Sequence, residues 1–125
     1  MSYEYAVDTR QRLVRVRMWG PITRPEIMAV VKEMVGDARI GPDFGQLIDV
    51  RDVSTATLSN DDLRQIAGSD LDPVARRAFV VSEDATYGLA RMFGSLREGR
   101  GAPERIAVFT NIYDADAWLG VSGSR

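Results

Sequence analysis

The sequence predicts an α/β protein with a mostly parallel five-stranded sheet and an antiparallel edge strand. Short β-rich segments alternate with helical segments in the order β-β-α-β-α-β-α-β-α. Consecutive strand–helix units of this kind place their strands in parallel through right-handed crossovers. A short polar turn joins the first two strands, so the first strand is expected at the antiparallel edge.

Length and composition are those of one ordinary globular domain. With 125 residues, 45% of them hydrophobic and 27% charged, the chain can build a single core. We expect residues 1–120 to form this domain and the Gly/Ser-rich residues 121–125 to form a flexible tail. A net charge of −2 provides no field that would hold a polyanion, so no nucleic-acid partner is expected.

The absence of two residue types excludes several kinds of chemistry. The chain contains no Cys and no His, which excludes thiol and imidazole catalysis, disulfides and zinc sites of the usual kind. The start of the sequence lacks the pattern of a signal peptide, and no apolar run is long enough to span a membrane. We therefore expect a cytoplasmic location without integral membrane association.

The first two strands are predicted at residues 3–8 and 13–19. The first segment is aromatic-rich and alternating, as is typical of a strand. In the second, Arg15 and Arg17 lie on one face, which predicts a solvated face, and the dipeptide Gly20-Pro21 is expected to end the strand. The apolar side chains of its other face are Val14, Val16 and Met18.

The first helix is predicted to begin with a capping box formed by Thr23 and Glu26 and to end at Gly36. Its apolar residues fall on one stripe, as expected for a surface helix. They are Ile27, Val30, Val31, Met34 and Val35. A loop is expected over residues 38–45.

The third strand is predicted at residues 46–50, with a Ser/Thr-rich loop and a second helix at 59–68 after it. Ser59 precedes Asp62 by three positions, which is the spacing of a capping box. A phosphate on Ser59 would lie beside Asp61 and Asp62, and like charges oppose it. Ser59 is therefore predicted to be a helix cap and a poor phosphorylation site.

The remaining strands are predicted at residues 77–81 and 105–109. The segment RAFVV is nearly all apolar, as is typical of a strand covered on both faces. A third helix is predicted over residues 85–96, and a fourth begins at Asn111, which can cap it together with Asp114. The inward-facing residues of the fourth helix are expected to be Ala115, Trp118 and Leu119.

Several stretches resemble one known fold. They are Trp19-Gly20-Pro21-Ile22-Thr23, Leu47-Ile48-Asp49-Val50-Arg51, Ala90-Arg91-Met92-Phe93, Val108-Phe109-Thr110, and the terminal Ala115, Ala117, Trp118 and Leu119. Together with the element order, they resemble the SpoIIAA-like fold of anti-sigma-factor antagonists, STAS domains and the lipid-binding module of CRAL-TRIO proteins, and most of all a small bacterial family named SpoIIAA-like. The resemblance implies a regulatory or protein-interaction role without enzymatic activity.

In the anti-sigma-factor antagonists, the loop after the central strand carries an Asp-Ser-Ser-Gly motif whose second Ser is phosphorylated. Aligned without gaps, this motif falls on Thr57-Leu58-Ser59-Asn60, where Ser59 alone is retained. The resemblance therefore does not extend to the rest of the phosphorylation motif.

Candidate binding residues lie where predicted strands end, because ligands of open α/β sheets bind at the carboxyl ends of the strands. Asp49, Arg51 and Asp52 lie at the carboxyl end of the central strand. They can bind a ligand or partner, or Asp49 and Arg51 can form an ion pair that ties the chain to the sheet. The complete set of ligand or partner candidates is Asp49, Arg51, Asp52, Ser59, Arg97 and Arg100.

The leading functional hypothesis is a non-enzymatic regulatory or protein-interaction module of STAS type with a protein partner. The alternative is a carrier of a lipid or another small apolar or anionic molecule, with an apolar pocket beside the third predicted helix. Its candidate lining residues are Leu89, Met92 and Phe93, although their spacing is equally typical of a core. No catalytic residue, metal or cofactor is predicted, and an enzyme ranks third. The aromatic edge strand with Tyr3 and Tyr5 predicts a homodimer.

Overall fold

The fold is seen in a computed structural model that describes residues 3–68, 76–82 and 105–124. Its elements alternate between strands and helices much as the sequence predicts. They are β1 (Tyr3–Asp8), β2 (Leu13–Thr23), α1 (Arg24–Val35), β3 (Gly45–Thr57), α2 (Asn60–Ala67), β4 (Arg76–Val80), β5 (Arg105–Phe109) and α3 (Ile112–Leu119). The predicted helix at residues 85–96 lies outside the described residues.

The five strands form one sheet in the order β1-β2-β3-β4-β5. β1 is antiparallel to β2, while β2, β3, β4 and β5 run parallel to one another. This arrangement confirms the predicted mostly parallel sheet with an antiparallel edge strand.

The two faces of the sheet are covered by different helices. α1 packs on one face, here called the α1 face, and its neighbour α2 contacts α1 and joins a small cluster around Ile66. α3 packs on the opposite face, here called the α3 face, against β3, β4 and β5. The buried residues of the α1-face core are Val14, Val16, Met18, Ile22, Val30, Met34, Phe44 and Val53. Those of the α3-face core are Leu13, Leu47, Ala78, Val80, Ile112 and Ala115.

The central strands are longer than predicted. Gly20 does not end β2, and the predicted Ser/Thr-rich loop after Val50 is wrong, because β2 continues to Thr23 and β3 to Thr57. The pairing of β2 with β3 continues through two register shifts, one between Arg17 and Trp19 and one between Gly20 and Pro21. Gly20 adopts φ +74°, a conformation that glycine tolerates without strain. Past the bulge, the Ser, Thr and Val residues of β3 are compatible with a strand.

The first helix differs from the prediction in two details. Thr23 occupies the N-cap position with an extended backbone, but its side chain makes no capping hydrogen bond, so the predicted capping box with Glu26 is wrong. Val35, which was expected on the apolar stripe, is 54% exposed in the last helical position. The helix ends as predicted at Gly36, whose N–H donates to the Lys32 carbonyl at 3.1 Å.

The aromatic side chains of β1 are used within the chain. Tyr3 and Tyr5 pack against the α1-face core, and their hydroxyls donate to Glu33 and Asp37 respectively. Burial and the hydrogen bond to Asp37 raise the pKa of Tyr5. The rings therefore stabilise the contact between β1 and the end of α1.

Residues 121–124, for which the sequence predicts a flexible tail, make several contacts. Gly120 ends α3 in the left-handed conformation (φ +73°), and the chain then returns along the sheet. Arg15 donates to the Ser122 carbonyl and to the Ser124 hydroxyl. Ser124 also donates from its backbone N–H and its hydroxyl to the two carboxylate oxygens of the buried Asp116, at 3.1 and 2.6 Å. These hydrogen bonds hold the segment beside β2.

None of the helices in the described part of the chain has the length and apolar character needed to cross a membrane.

Candidate functional site

Asp49 and Arg51 form a two-point ion pair on the central strand. Arg51 donates from Nε to Asp49 Oδ1 at 3.0 Å and from a terminal guanidinium nitrogen to Oδ2 at 2.8 Å. The backbone N–H of Arg51 donates to Oδ1 at 3.1 Å. Asp49 is buried and the Arg51 side chain is about one-third exposed. Two parallel hydrogen bonds of this kind are typical of a guanidinium paired with a carboxylate. The sequence predicts this ion pair as the alternative to ligand binding by Asp49 and Arg51.

A bulge in β3 places two consecutive charged residues on the same side of the sheet. Arg17 pairs with Asp49, but Trp19 pairs with Asp52, so β3 contains one more residue than β2 at this point. Val50 and Val53 both contact the α1-face core. The intervening Arg51 and Asp52 are therefore both on the α3 face.

Arg17 joins the charged residues to an aromatic ring. Its guanidinium donates to Asp52 Oδ2 at 3.0 Å, and its central carbon lies 4.7 Å from the centroid of the Trp19 ring. The Arg17 side chain is 44% exposed and that of Asp52 is 60% exposed. At such exposure an ion pair contributes little to stability, so this contact mainly orients the side chains.

Tyr113 extends the same surface from the first turn of α3. The Asn111 side chain caps this helix as predicted, accepting from the N–H groups of Tyr113 and Asp114 at 2.8 and 3.3 Å. Tyr113 itself is 64% exposed. The hydrogen bond from Arg51 to Asp49 raises the pKa of Arg51, and Asp52 and Tyr113 act more weakly in the same direction.

These contacts define one surface on the α3 face, here called the open-face patch. It consists of Arg17, Trp19, Arg51, Asp52 and Tyr113. The patch contains three residues that were not candidates from the sequence. Arg17 and Trp19 lie within the predicted second strand, where Arg17 is assigned only to a solvated face, and Tyr113 lies within the predicted fourth helix.

The other candidate residues lie elsewhere. Ser59 caps α2 and completes the predicted capping box, because its hydroxyl accepts from the Asp62 N–H while Asp62 Oδ2 accepts from the Ser59 N–H, both at 3.0 Å. The remaining candidates lie outside the described residues. They are Arg97 and Arg100 for an anionic partner and Leu89, Met92 and Phe93 for an apolar pocket.

Asp49 and Asp52 on β3 and Asp61 and Asp62 at the start of α2 are each paired with an arginine. Besides the pairs already described, Arg24 lies 3.3 Å from Asp62 and Arg64 lies 3.9 Å from Asp61. Within residues 3–68, 76–82 and 105–124, no group of three or more acidic side chains is placed to hold a metal ion.

A second polar pair was missed because its segment looks apolar. In β4, Arg77 is fully buried, and its Nε donates to the Oε1 of the buried Gln46 at 2.9 Å. The two residues are neighbours in the register of β3 and β4. Burial of a guanidinium is costly unless it is hydrogen-bonded, so this contact belongs to the core of the sheet.

Comparison with known proteins identifies the fold. No family model and no curated protein matches the sequence significantly. Among solved structures, the chain is similar to the crystal structure of an uncharacterized protein of the DUF3478 family, with a SpoIIAA-like fold, from Shewanella loihica PV-4. The identity is 14%, the match covers 94% of each chain, and the TM-score is 0.62. This likeness extends over nearly the whole chain, and it shows that the protein has a SpoIIAA-like fold.

Proposed function

We propose that the protein is a non-enzymatic protein-interaction module of STAS type and that the open-face patch is its binding surface. The observation that carries the proposal is the composition of this patch. Trp, Tyr and Arg are the residue types that most often dominate the energy of protein interfaces. Here the exposed Arg17 and Tyr113 and the half-buried Trp19 stand together on the α3 face, next to the area over β3, β4 and β5 that α3 covers.

The chemistry of the candidate residues also favours binding over catalysis. Asp49 is buried and accepts hydrogen bonds from Arg51 at both oxygens, so its carboxylate already has partners within the chain. The Ser59 hydroxyl accepts a backbone N–H as a helix cap. In the described part of the chain, neither residue has the adjacent general base or nucleophile that covalent or acid–base catalysis requires.

The charges of the patch favour a partner with both signs of charge. In the patch, Arg17 is paired with Asp52, and Arg51 is paired with the buried Asp49 beneath the patch, so the surface has no strong net potential. A partner that places a carboxylate near Arg17 and an apolar group on Trp19 would fit this surface. The guanidinium held against Trp19 has already lost part of its freedom, which lowers the entropic cost of binding.

The test uses tagged protein expressed in its source cells, with co-purified proteins quantified by mass spectrometry. We expect Arg17→Ala and Tyr113→Ala each to lower the recovery of a specific partner by about tenfold or more, as for hot-spot residues. Val35→Ala changes an exposed apolar residue on α1 and serves as the matched control. Equal recovery of the partner with all three variants, or no partner enriched over a tag-only control, would contradict the proposal.

A further inference from the structure

In the part of the chain that the structure describes, no strand pairs with the outer edge of β1. β1 is the first strand of the sheet, and its six residues pair with β2 in one unbroken register. The strand contains no proline and no bulge. The part of β2 beyond Met18, which β1 does not pair with, is less regular than β1. It contains Gly20 and Pro21 and the two register shifts with β3. Natural sheets use such irregularities to prevent edge pairing, and β1 lacks them.

We infer that β1 pairs antiparallel with β1 of a second copy of this chain, across a two-fold axis at Tyr5, so that the two sheets become continuous. This inference concerns a different surface from the open-face patch and does not depend on the proposed function. A two-fold dimer is the most common arrangement of identical chains, and it pairs a strand with itself.

The alternation of β1 limits the possible registers. Tyr3, Tyr5 and Val7 contact the core of the α1 face, which places Glu4, Ala6 and Asp8 on the other face. Residues that lie directly opposite in an antiparallel pair share a face. In a symmetric pair of β1 strands, the two-fold axis must therefore pass at a residue that lies opposite its own copy. The residues near the middle of β1 that can take this position are Glu4, Tyr5 and Ala6.

Charge selects among these registers. An axis at Ala6 places Glu4 opposite Asp8 of the second copy, and an axis at Glu4 places two glutamates opposite each other. Like charges directly opposite are destabilising. An axis at Tyr5 places Glu4 opposite Ala6, and each Glu4 keeps Arg17 of its own chain 3.9 Å away.

Side-chain pairing on the α1 face favours the same register. With the axis at Tyr5, the two Tyr5 rings lie opposite each other and Tyr3 lies opposite Val7. Aromatic–aromatic and aromatic–β-branched pairs are among the cross-strand pairs that stabilise sheets. The hydroxyls of Tyr3 and Tyr5 are already hydrogen-bonded to α1, so their rings need little further ordering when a second strand arrives.

The first experiment measures molar mass by light scattering and sedimentation over a range of concentrations. We expect the wild-type chain to be a dimer. In Ala6→Glu, the new carboxylate of each copy lies opposite Glu4 of the other copy, so the dimer contains two repulsive pairs. This variant should raise the dimer dissociation constant by about tenfold or more. Ala6→Gln has nearly the same size without the charge and should remain dimeric. Ala6 is exposed and Arg15 is its neighbour on β2, so both variants should fold. A monomeric wild-type chain, or equal association of the two variants, would overturn the inference.

The second experiment fixes the register with engineered disulfides, which is simple because the chain has no cysteine. Glu4→Cys chains mixed with Ala6→Cys chains should form a mixed disulfide under mild oxidation. Each variant alone should cross-link far less, because its cysteines are diagonal and beyond disulfide reach. Ser54→Cys is an exposed control on β3 and should not cross-link with Glu4→Cys. Efficient cross-linking of Ala6→Cys alone would show a different register and contradict the axis at Tyr5.

Discussion

Gln11 and Ser122 lie 111 positions apart in the chain and exchange two hydrogen bonds. The Gln11 side-chain amide donates to the Ser122 carbonyl at 3.0 Å and accepts the Ser122 N–H at 2.9 Å. Its Nε2 also donates to Asp8 Oδ2 at 2.9 Å. One side chain therefore links the turn between β1 and β2 to the segment after α3.

Because Gln11 links these two segments, Gln11→Ala should destabilise the protein. It removes three hydrogen bonds whose net value is each about 0.5–1.5 kcal/mol, and partial exposure favours the lower end, so we expect a loss of about 1–2 kcal/mol. Urea unfolding measures the change, and Thr9→Ala in the same turn is the control. A loss no larger than that of the control would support the flexible tail expected from the sequence.

Trp118 is predicted to anchor α3 to the sheet. Its ring lies 5.9 Å from that of Phe109, and the Arg76 guanidinium lies 4.1 Å above it. Truncation of a buried large aromatic costs about 3–5 kcal/mol, and Trp118 is only partly buried, so we expect Trp118→Ala to cost about 2–4 kcal/mol. Trp118→Phe keeps an aromatic ring at this position and should lose clearly less. An effect of Trp118→Ala within the roughly 0.5 kcal/mol range of surface substitutions would show that the ring is not an anchor.

The capping box at Ser59 predicts opposite results for two substitutions. Ser59→Ala removes the acceptor for the Asp62 N–H and should lose about 0.5–2 kcal/mol. Ser59→Asp should be nearly neutral, because Asp caps a helix as well as Ser does. Denaturant midpoints of both variants test the cap. The intact mass of protein from its native cell tests for a phosphate, and a stable phosphate on Ser59 would restore the regulatory switch of the anti-sigma-factor antagonists.

Asp37 predicts a pH dependence of stability. The guanidinium of Arg39 holds the pKa of Asp37 well below its usual range, with further help from the Arg39 N–H and the Tyr5 hydroxyl. Because the folded-state pKa is lowered, this stabilisation is fully present above about pH 4 and is lost as the pH falls towards the folded-state pKa. Asp37→Asn should therefore be less stable than the wild type at pH 7.

The comparison for Asp37 is made by urea unfolding at pH 7, 4 and 3. The difference between wild type and Asp37→Asn should narrow as the pH falls below about 4. Tyr5→Phe removes one hydrogen bond but keeps the pairing with Arg39, so it should retain most of the pH dependence. A difference that is constant over this range would rule out the lowered pKa as its cause.

Local signals were enough to predict the order of most elements. The alternation of β2, the caps at Ser59 and Asn111, and the apolar β4 each depend on residues close in sequence, where hydrogen-bond and burial patterns are simple. The ion pair of Asp49 with Arg51 was foreseeable for the same reason, because residues two apart on a strand share a face.

Features that depend on distant residues were not predictable. The bulge in β3 opposite Arg17 and Trp19 depends on the pairing of β3 with β2, and Arg51 and Asp52 share a face only as a result. The contacts of Arg15 with the segment after α3 also join opposite ends of the chain. The open-face patch gathers residues from β2, β3 and α3, so no single stretch of sequence reveals it.

The long parallel pairing of β2 with β3 has a consequence for how fast the chain folds. Leu13 pairs with Gly45 and Thr23 with Thr57, so all of α1 and the following loop lie between the partners. Closing such a loop is costly before any contact compensates for it, and topologies rich in non-local pairings fold slowly.

We expect the β2-α1-β3 unit to form the folding nucleus. Val16→Ala and Leu47→Ala should then slow folding, whereas Trp118→Ala should mainly speed unfolding. Stopped-flow measurement of both rates decides this, and a uniform effect on the folding rate would argue for a diffuse nucleus.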